Sequence, residues 1–179
     1  MRLTISIVTF VSLVAFLTLW AVAQPATAPG AAASRIRIGI YDNRAIAIAY
    51  AASEFNPVRQ KMAELKAAKA AGDTKKIAEL EAWGKDYQRL LHFQGFAHVP
   101  VGDLLEPVKA PIAKLAEAQQ LSVIAADTDF SAAGVDVVDL TDDLVALFKP
   151  SDRTRQLVKM LRGQKPVPLT KIADMPAEQ

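Results

Sequence analysis

The chain of 179 residues carries 21 lysines and arginines against 19 aspartates and glutamates, and it has no cysteine. So even a balance argues against a nucleic-acid binder, which would show a strong basic excess. The lack of cysteine excludes a disulfide scaffold, a thiol nucleophile, a thiolate metal ligand and an acylated lipoprotein, so packing must hold the fold together.

The first residues read as an export signal. Met1-Arg2 is a short positive start, residues 3–20 are an almost unbroken apolar run, and Ala21-Val22-Ala23 supplies small residues at alternate positions. That pattern predicts a secretory signal peptide over residues 1–23, cleaved before Gln24, and a soluble protein of the periplasm. The alternative is an uncleaved anchor, because a run of roughly 18–20 apolar residues can span a bilayer. Cleavage leaves about 155 residues, one domain of ordinary size. Residues 24–34 (QPATAPGAAAS) are small, uncharged and proline-containing, a flexible leader.

The folded part is expected over residues 35–163. Residues 35–41 (RIRIGIY) alternate strictly and place Ile36, Ile38 and Ile40 on one face of a strand. Residues 45–52 read two ways: Ile46, Ile48 and Tyr50 alternate as in a strand, while the alanine content favours a helix. Asn56-Pro57 then opens a helical hairpin, an arm over residues 56–98. Val58, Met62 and Leu65, and after the tip Ile77, Leu80, Gly84, Tyr87 and Leu91, recur at spacings of three and four, which reads as a packing seam. Gly72-Asp73 offers a C-cap followed by an N-cap, so the two helices run antiparallel. The returning helix ends near Gly95.

Asp103 and Glu106 can form a capping box for a third helix with Leu104, Val108, Ile112 and Leu115 as its buried stripe. Pro107 fits its first turn, whereas Pro111 kinks it unless the helix starts later. Residues 121–126 and 135–140 are strands. Thr141 caps a short helix with Asp142 and Asp143 in its first turn, Pro150 stops it, and Ser151 caps a last helix ending at Gly163. Residues 164–179, with three prolines and little periodicity, read as a disordered tail. The fold class is therefore α+β, a small three-stranded body with an antiparallel helical hairpin. Three strands leave two edges unpaired and a thin core, which self-association through Ile36, Ile38 and Ile40 would remedy.

The segments Arg37-Ile38-Gly39-Ile40-Tyr41-Asp42, Val123-Ile124-Ala125-Ala126-Asp127 and residues 137–145 (VVDLTDDLV), with the hairpin tip at residues 69–76 (KAAGDTKK), resemble the OmpH-like (Skp-type) family of periplasmic chaperones. The resemblance covers residues 35 to about 149, on a hairpin shorter than the family's arms. It implies a homotrimer whose strands form a central body and whose hairpins project around a cavity. It also implies binding of unfolded outer-membrane proteins without ATP.

Catalytic chemistry is sparse. His92 and His98 are the only histidines, six apart, on neither one helical face nor a usual metal spacing. Asp127, Asp129, Ser131 and Gly134 suggest a calcium loop only faintly, because glycine and acid are missing from the sixth and twelfth positions; turn and cap duty fits them better. With no phosphate loop, nucleophile elbow or metalloprotease helix, the expectation is a non-enzyme without cofactor or metal. Lys66, Lys69, Lys75 and Lys76 gather at the hairpin tip with Asp73 between them. They are either a solvated helix end or a contact for anionic lipid headgroups or an acidic client, at about 1 kcal/mol per lysine. Three functions follow: a holdase for unfolded outer-membrane proteins, a scaffolding oligomer of the envelope without a chaperone cavity, or a small-molecule binder using the Asp127–Asp143 region. Export makes the first prediction: replacing Ala23 with a bulky residue blocks processing, and mass spectrometry of the wild type finds Gln24 at the N-terminus.

Overall fold

The computed structural model describes residues 36–173. The signal segment 1–23, the leader 24–34, Arg35 and residues 174–179 of the expected tail lie outside the described residues. The elements run β1 (Arg37–Ile40), α1 (Asn43–Ala51), α2 (Val58–Ala71), α3 (Thr74–Phe96), α4 (Gly102–Leu105), a 3-10 turn (Glu106–Val108) and α5 (Lys109–Ala118). Then follow β2 (Val123–Ala125), β3 (Asp136–Asp139), α6 (Thr141–Ala146), α7 (Asp152–Arg162) and α8 (Leu169–Ala173). The class is α+β, with a small three-stranded sheet and an antiparallel hairpin of α2 and α3.

The sheet has the order β2-β1-β3, and both pairings are parallel. Gly39 lies between Ile124 and Val138, so these three share one face; Ile38 lies between Val123 and Val137 on the other. The Gly39 face packs on the core. A Cβ at Gly39 would sit 2.1 Å from Leu140 Cδ1 and 3.3 Å from Leu121 Cδ1. Only the missing side chain allows Leu140, itself fully buried, to close on the strand. The isoleucine face points the other way. Its members are not part of the core: Ile36 is 54% and Val123 51% exposed, and Ile38, Ile40 and Val137 are half-buried.

Helix α1 is the hub of the core. Asp42 caps it, its carboxylate accepting from the Arg44 amide at 3.0 Å. Ala45, Ile46, Ala47 and Ala49 are buried, and the small alanines let α3, α6 and α7 all pack against it. Helix wins over strand over Asn43–Ala51, as the alanine content favours, and the small side chains of Ala45, Ala47 and Ala49 let neighbouring helices come close. Each large side chain such as Ile46, Leu140 or Leu144 contributes about 1.5–3 kcal/mol on burial. At the hairpin tip Gly72 takes the left-handed conformation, φ 67°, and Asp73 caps α3 by accepting from the Lys76 amide at 3.0 Å. Lys69 meets Glu81 and Asn56 meets the Tyr87 hydroxyl, the crossed pairing of an antiparallel hairpin.

Several expectations need correction. The third helix is two short pieces joined at the 3-10 turn that holds Pro107, and Pro111 falls in the first turn of α5, where its missing N–H costs nothing. No capping box forms there; Asp103 instead accepts from the Gln94 amide at 2.9 Å, and Glu106 pairs with Lys109. Thr141 is the first residue of α6 rather than its cap, and its hydroxyl accepts from the Asp42 amide. Helix α7 is not the last, and residues 164–173 are not a free tail. The Gln164 carbonyl accepts from Arg44, the Val167 amide donates to Phe96 at 2.8 Å, and Ile172 of α8 is buried. Prolines hid this docking, because they suppress periodicity without preventing a strap from being tied by a few bonds.

Gly39 gives the stability prediction. Gly39→Val forces a side chain into Leu140 and should lower the unfolding free energy by about 1–3 kcal/mol or more, read from urea denaturation. An unchanged midpoint would show that the strand and Leu140 are not in contact.

Candidate functional site

The hairpin does not close along its length. Near the tip the seam is tight, with Ala68 and Leu80 buried against each other's helices. Toward its base α2, α3 and α1 splay around an open apolar groove of about 630 Å³. Met62, Leu65, Trp83, Gly84, Leu91 and Phe96 line it, and Met62 is 59% exposed. The expected packing seam is thus corrected at its basal half, where Gly84 lies on the groove. A Cβ there would meet nothing within 4 Å, so the missing side chain is not required by any neighbour among the described residues. A mid-helix glycine costs about 1 kcal/mol relative to alanine, and here its effect is to deepen the groove floor. Trp83 and Tyr87 stack beside it at 4.8 Å and 15°, with Lys61 over the Trp83 ring at 6.0 Å. Burial pushes the Tyr87 hydroxyl above its ordinary pKa, helped by Tyr50, so this wall stays uncharged.

The four tip lysines are all exposed. They do not form a free basic cluster: Lys69 pairs with Glu81 at 3.1 Å and Lys76 with Glu79 at 3.5 Å. Glu81 is brought to Lys69 from the other helix, which linear counting around Asp73 could not see. Ile36, Ile38 and Ile40 fall together on the outer face of the sheet, as described above. His92 stands against Phe96 in the groove at 5.6 Å, whereas His98 lies at the sheet end, so the two histidines do not converge.

A second hollow opens outside the carboxyl ends of the three strands. Asp42 follows β1, Asp127 follows β2 and Asp139 ends β3, and all three reach it with His98, Thr141 and Arg162. Arg44, only 4% exposed, grips Asp42 through two bonds of 3.0 and 2.7 Å. Burial works to raise the Asp42 pKa, but the Arg44 hydrogen bond, charge and amide outweigh it and hold the carboxyl below its ordinary value. Asp139 is treated alike, with burial opposed and overcome by Thr141 and by Arg162, which also reaches Asp142 at 3.3 Å. Asp127 accepts from the Thr128 amide at 2.7 Å and Thr128 donates to the Phe130 carbonyl, a turn rather than a calcium loop. Among the described residues no group of three histidines or acids could hold a metal ion, and no helix is long and apolar enough to cross a membrane.

The basal groove residues were missed as a site, although a glycine at a seam position in a long helix was the visible signal. The sheet-end hollow had a signal too, since each strand is followed or closed by an aspartate. No protein-family model, curated protein or solved structure matches the chain.

Proposed function

We propose that this chain is an ATP-independent holdase of the periplasm, a chaperone that shields unfolded outer-membrane proteins from aggregation. The observation that carries the reading is the open groove at the base of the hairpin, apolar on three sides and floored by Gly84. An unfolded barrel protein presents segments with apolar residues at every second position. Such a segment can lay those side chains along α3, between Met62 on one wall and Phe96 at the end, without needing a fixed sequence. Met62 adds an adaptable contact of the kind promiscuous surfaces use. The tip lysines, two of them leaning on glutamates, would supply a weak, salt-sensitive encounter with acidic clients or anionic lipid headgroups.

Assembly belongs to the same reading. Parallel sheets are normally covered on both faces, yet Ile36, Ile38, Ile40, Val123 and Val137 leave the outer face apolar and open. Copies packed through that face, as a homotrimer of the OmpH-like (Skp-type) kind, would cover it and set the hairpins around a shared space.

Two tests follow. Suppression of aggregation of a denatured β-barrel protein diluted from urea should be strong for wild type and reduced several-fold for Gly84→Leu, which fills the groove. That variant keeps the fold, because the position is open and leucine is the better helix former by about 1 kcal/mol. Replacing Lys66, Lys69, Lys75 and Lys76 with glutamine should slow protection only below about 0.1 M salt, where the screening length exceeds about 10 Å. Full activity of Gly84→Leu would remove the groove from the mechanism; no suppression by wild type would leave the scaffolding reading. In the second test, Ile38→Asp should abolish self-association in light scattering while helicity is retained. A wild type that is monomeric at micromolar concentration would refute assembly.

A further inference from the structure

Charge is divided unevenly along the chain. Residues 36–148 hold 12 lysines and arginines against 16 aspartates and glutamates, whereas residues 149–173 hold seven against the single Asp152. Three of those seven are engaged: Lys149 with Glu54 at 3.5 Å, Arg155 with Asp152 at 3.7 Å, and Arg162 with Asp139 and Asp142. Arg153, Lys159, Lys165 and Lys171 are exposed and, among the described residues, have no acidic partner.

Helix α7 sets this charge beside apolar surface. Thr154 and Val158 are buried, and α1 packs against the helix. At 3.6 residues per turn, Arg153, Gln156 and Met160 then fall on the opposite face, with Lys159 and Leu157 on either side of them. Met160 is 59% and Leu157 41% exposed. On the Lys159 side, a hollow of about 580 Å³ against α6 is lined by Arg155, Lys159 and Arg162 over Val145 and Val158, with Asp142 as its one acid. It gives a headgroup phosphate room beside Lys159.

A helix that holds large apolar side chains out between cations suits a lipid surface. The apolar tips enter among the headgroups, while arginine and lysine bury their stems and keep their charge at the level of the phosphates. A soluble polyanion would use the charges and leave Leu157 and Met160 in water. A protein partner would need a groove shaped to a convex helix, whereas a bilayer surface yields to it. Helix α7 follows the residues 35 to about 149 that carry the family resemblance, and neither the groove nor the tip lysines take part.

We propose that α7 docks this protein on an anionic lipid surface, with Met160 and Leu157 entering between headgroups and Arg153 and Lys159 held by their phosphates.

The chain has no cysteine, so one introduced thiol can place an environment-sensitive dye on a chosen face. Gln156→Cys, exposed in the middle of α7, carries the dye. Equimolar phosphatidylglycerol and phosphatidylcholine vesicles should shift its emission to the blue saturably at about 0.05 M salt, where the screening length exceeds about 10 Å. Pure phosphatidylcholine vesicles should not. Arg153→Gln combined with Lys159→Gln should raise the half-saturating lipid concentration about tenfold or more, because each basic residue gains attraction near an anionic surface. Leu157→Ser combined with Met160→Ser should weaken vesicle binding several-fold and leave binding to heparin, a soluble polyanion, unchanged. All four positions are exposed, so circular dichroism should find the helix content retained. The shift should persist when Lys66, Lys69, Lys75 and Lys76 are replaced with glutamine, which separates this surface from the hairpin tip. The proposal is overturned if the dye does not respond to anionic vesicles, if neutral vesicles move it equally, or if the tip replacement abolishes the shift. It is also overturned if either double variant binds vesicles as wild type does; for the serine pair, that result would leave a site for soluble polyanions only.

Discussion

Because β1 pairs in parallel on both sides, every other part of the fold has to be arranged around it. Parallel neighbours cannot be joined by a tight turn, so the chain must travel from one end of the strand back to the other before it can pair. The first crossing, from β1 to β2, absorbs α1 through α5 and so creates the hairpin. The strand's two neighbours come from far along the chain, with Ile38 beside both Val123 and Val137. Such non-local pairing stores its stability in a few contacts. The tightest of them is Leu140 seated where Gly39 has no side chain.

The end of β1 is where the sheet, the helices and the C-terminal strap are tied together. Asp42 caps α1, receives the buried Arg44 and donates its own amide to Thr141 of α6. Arg44 in turn holds the Gln164 carbonyl. Removing one partner of a buried charge pair costs about 3–5 kcal/mol, because the other is left without compensation. The cluster therefore links sheet order to the docking of residues 164–173. Beside it, Arg162 is paired with Asp139 and Asp142 at the end of β3.

The two open apolar faces, the hairpin groove and the outer face of the sheet, arise from incomplete closure. In the hairpin, Ala68 and Leu80 are buried where α2 and α3 meet near the tip, while at the base the space beside Gly84 is left unfilled next to the stacked Trp83 and Tyr87. In the sheet, helices cover the Gly39 face and leave the isoleucines of the other. Apolar surface of this kind is expensive in water at about 25 cal/mol per Å², so it favours occupants that bring apolar surface of their own. A holdase and its self-assembly would draw on the same force at two places.

Local rules were enough for much of this. Alternation marked β1, three-four spacing marked α2 and α3, Gly72-Asp73 marked the hairpin tip and Ser151 the start of α7, because caps and periodicity depend on neighbours a few residues away. What the tertiary structure alone decided depends on residues distant in sequence. Strand direction, the choice of helix at residues 45–52, the pairing of Lys69 with Glu81 and the docking of the strap could not be read from spacing. The groove belongs with these: Val58, Met62 and Gly84 carry the pattern of a closed seam, but a pattern records which face is apolar, not how near the facing helix comes. That distance is set by side-chain volume summed across three helices, and at Gly84 there is none to fill it.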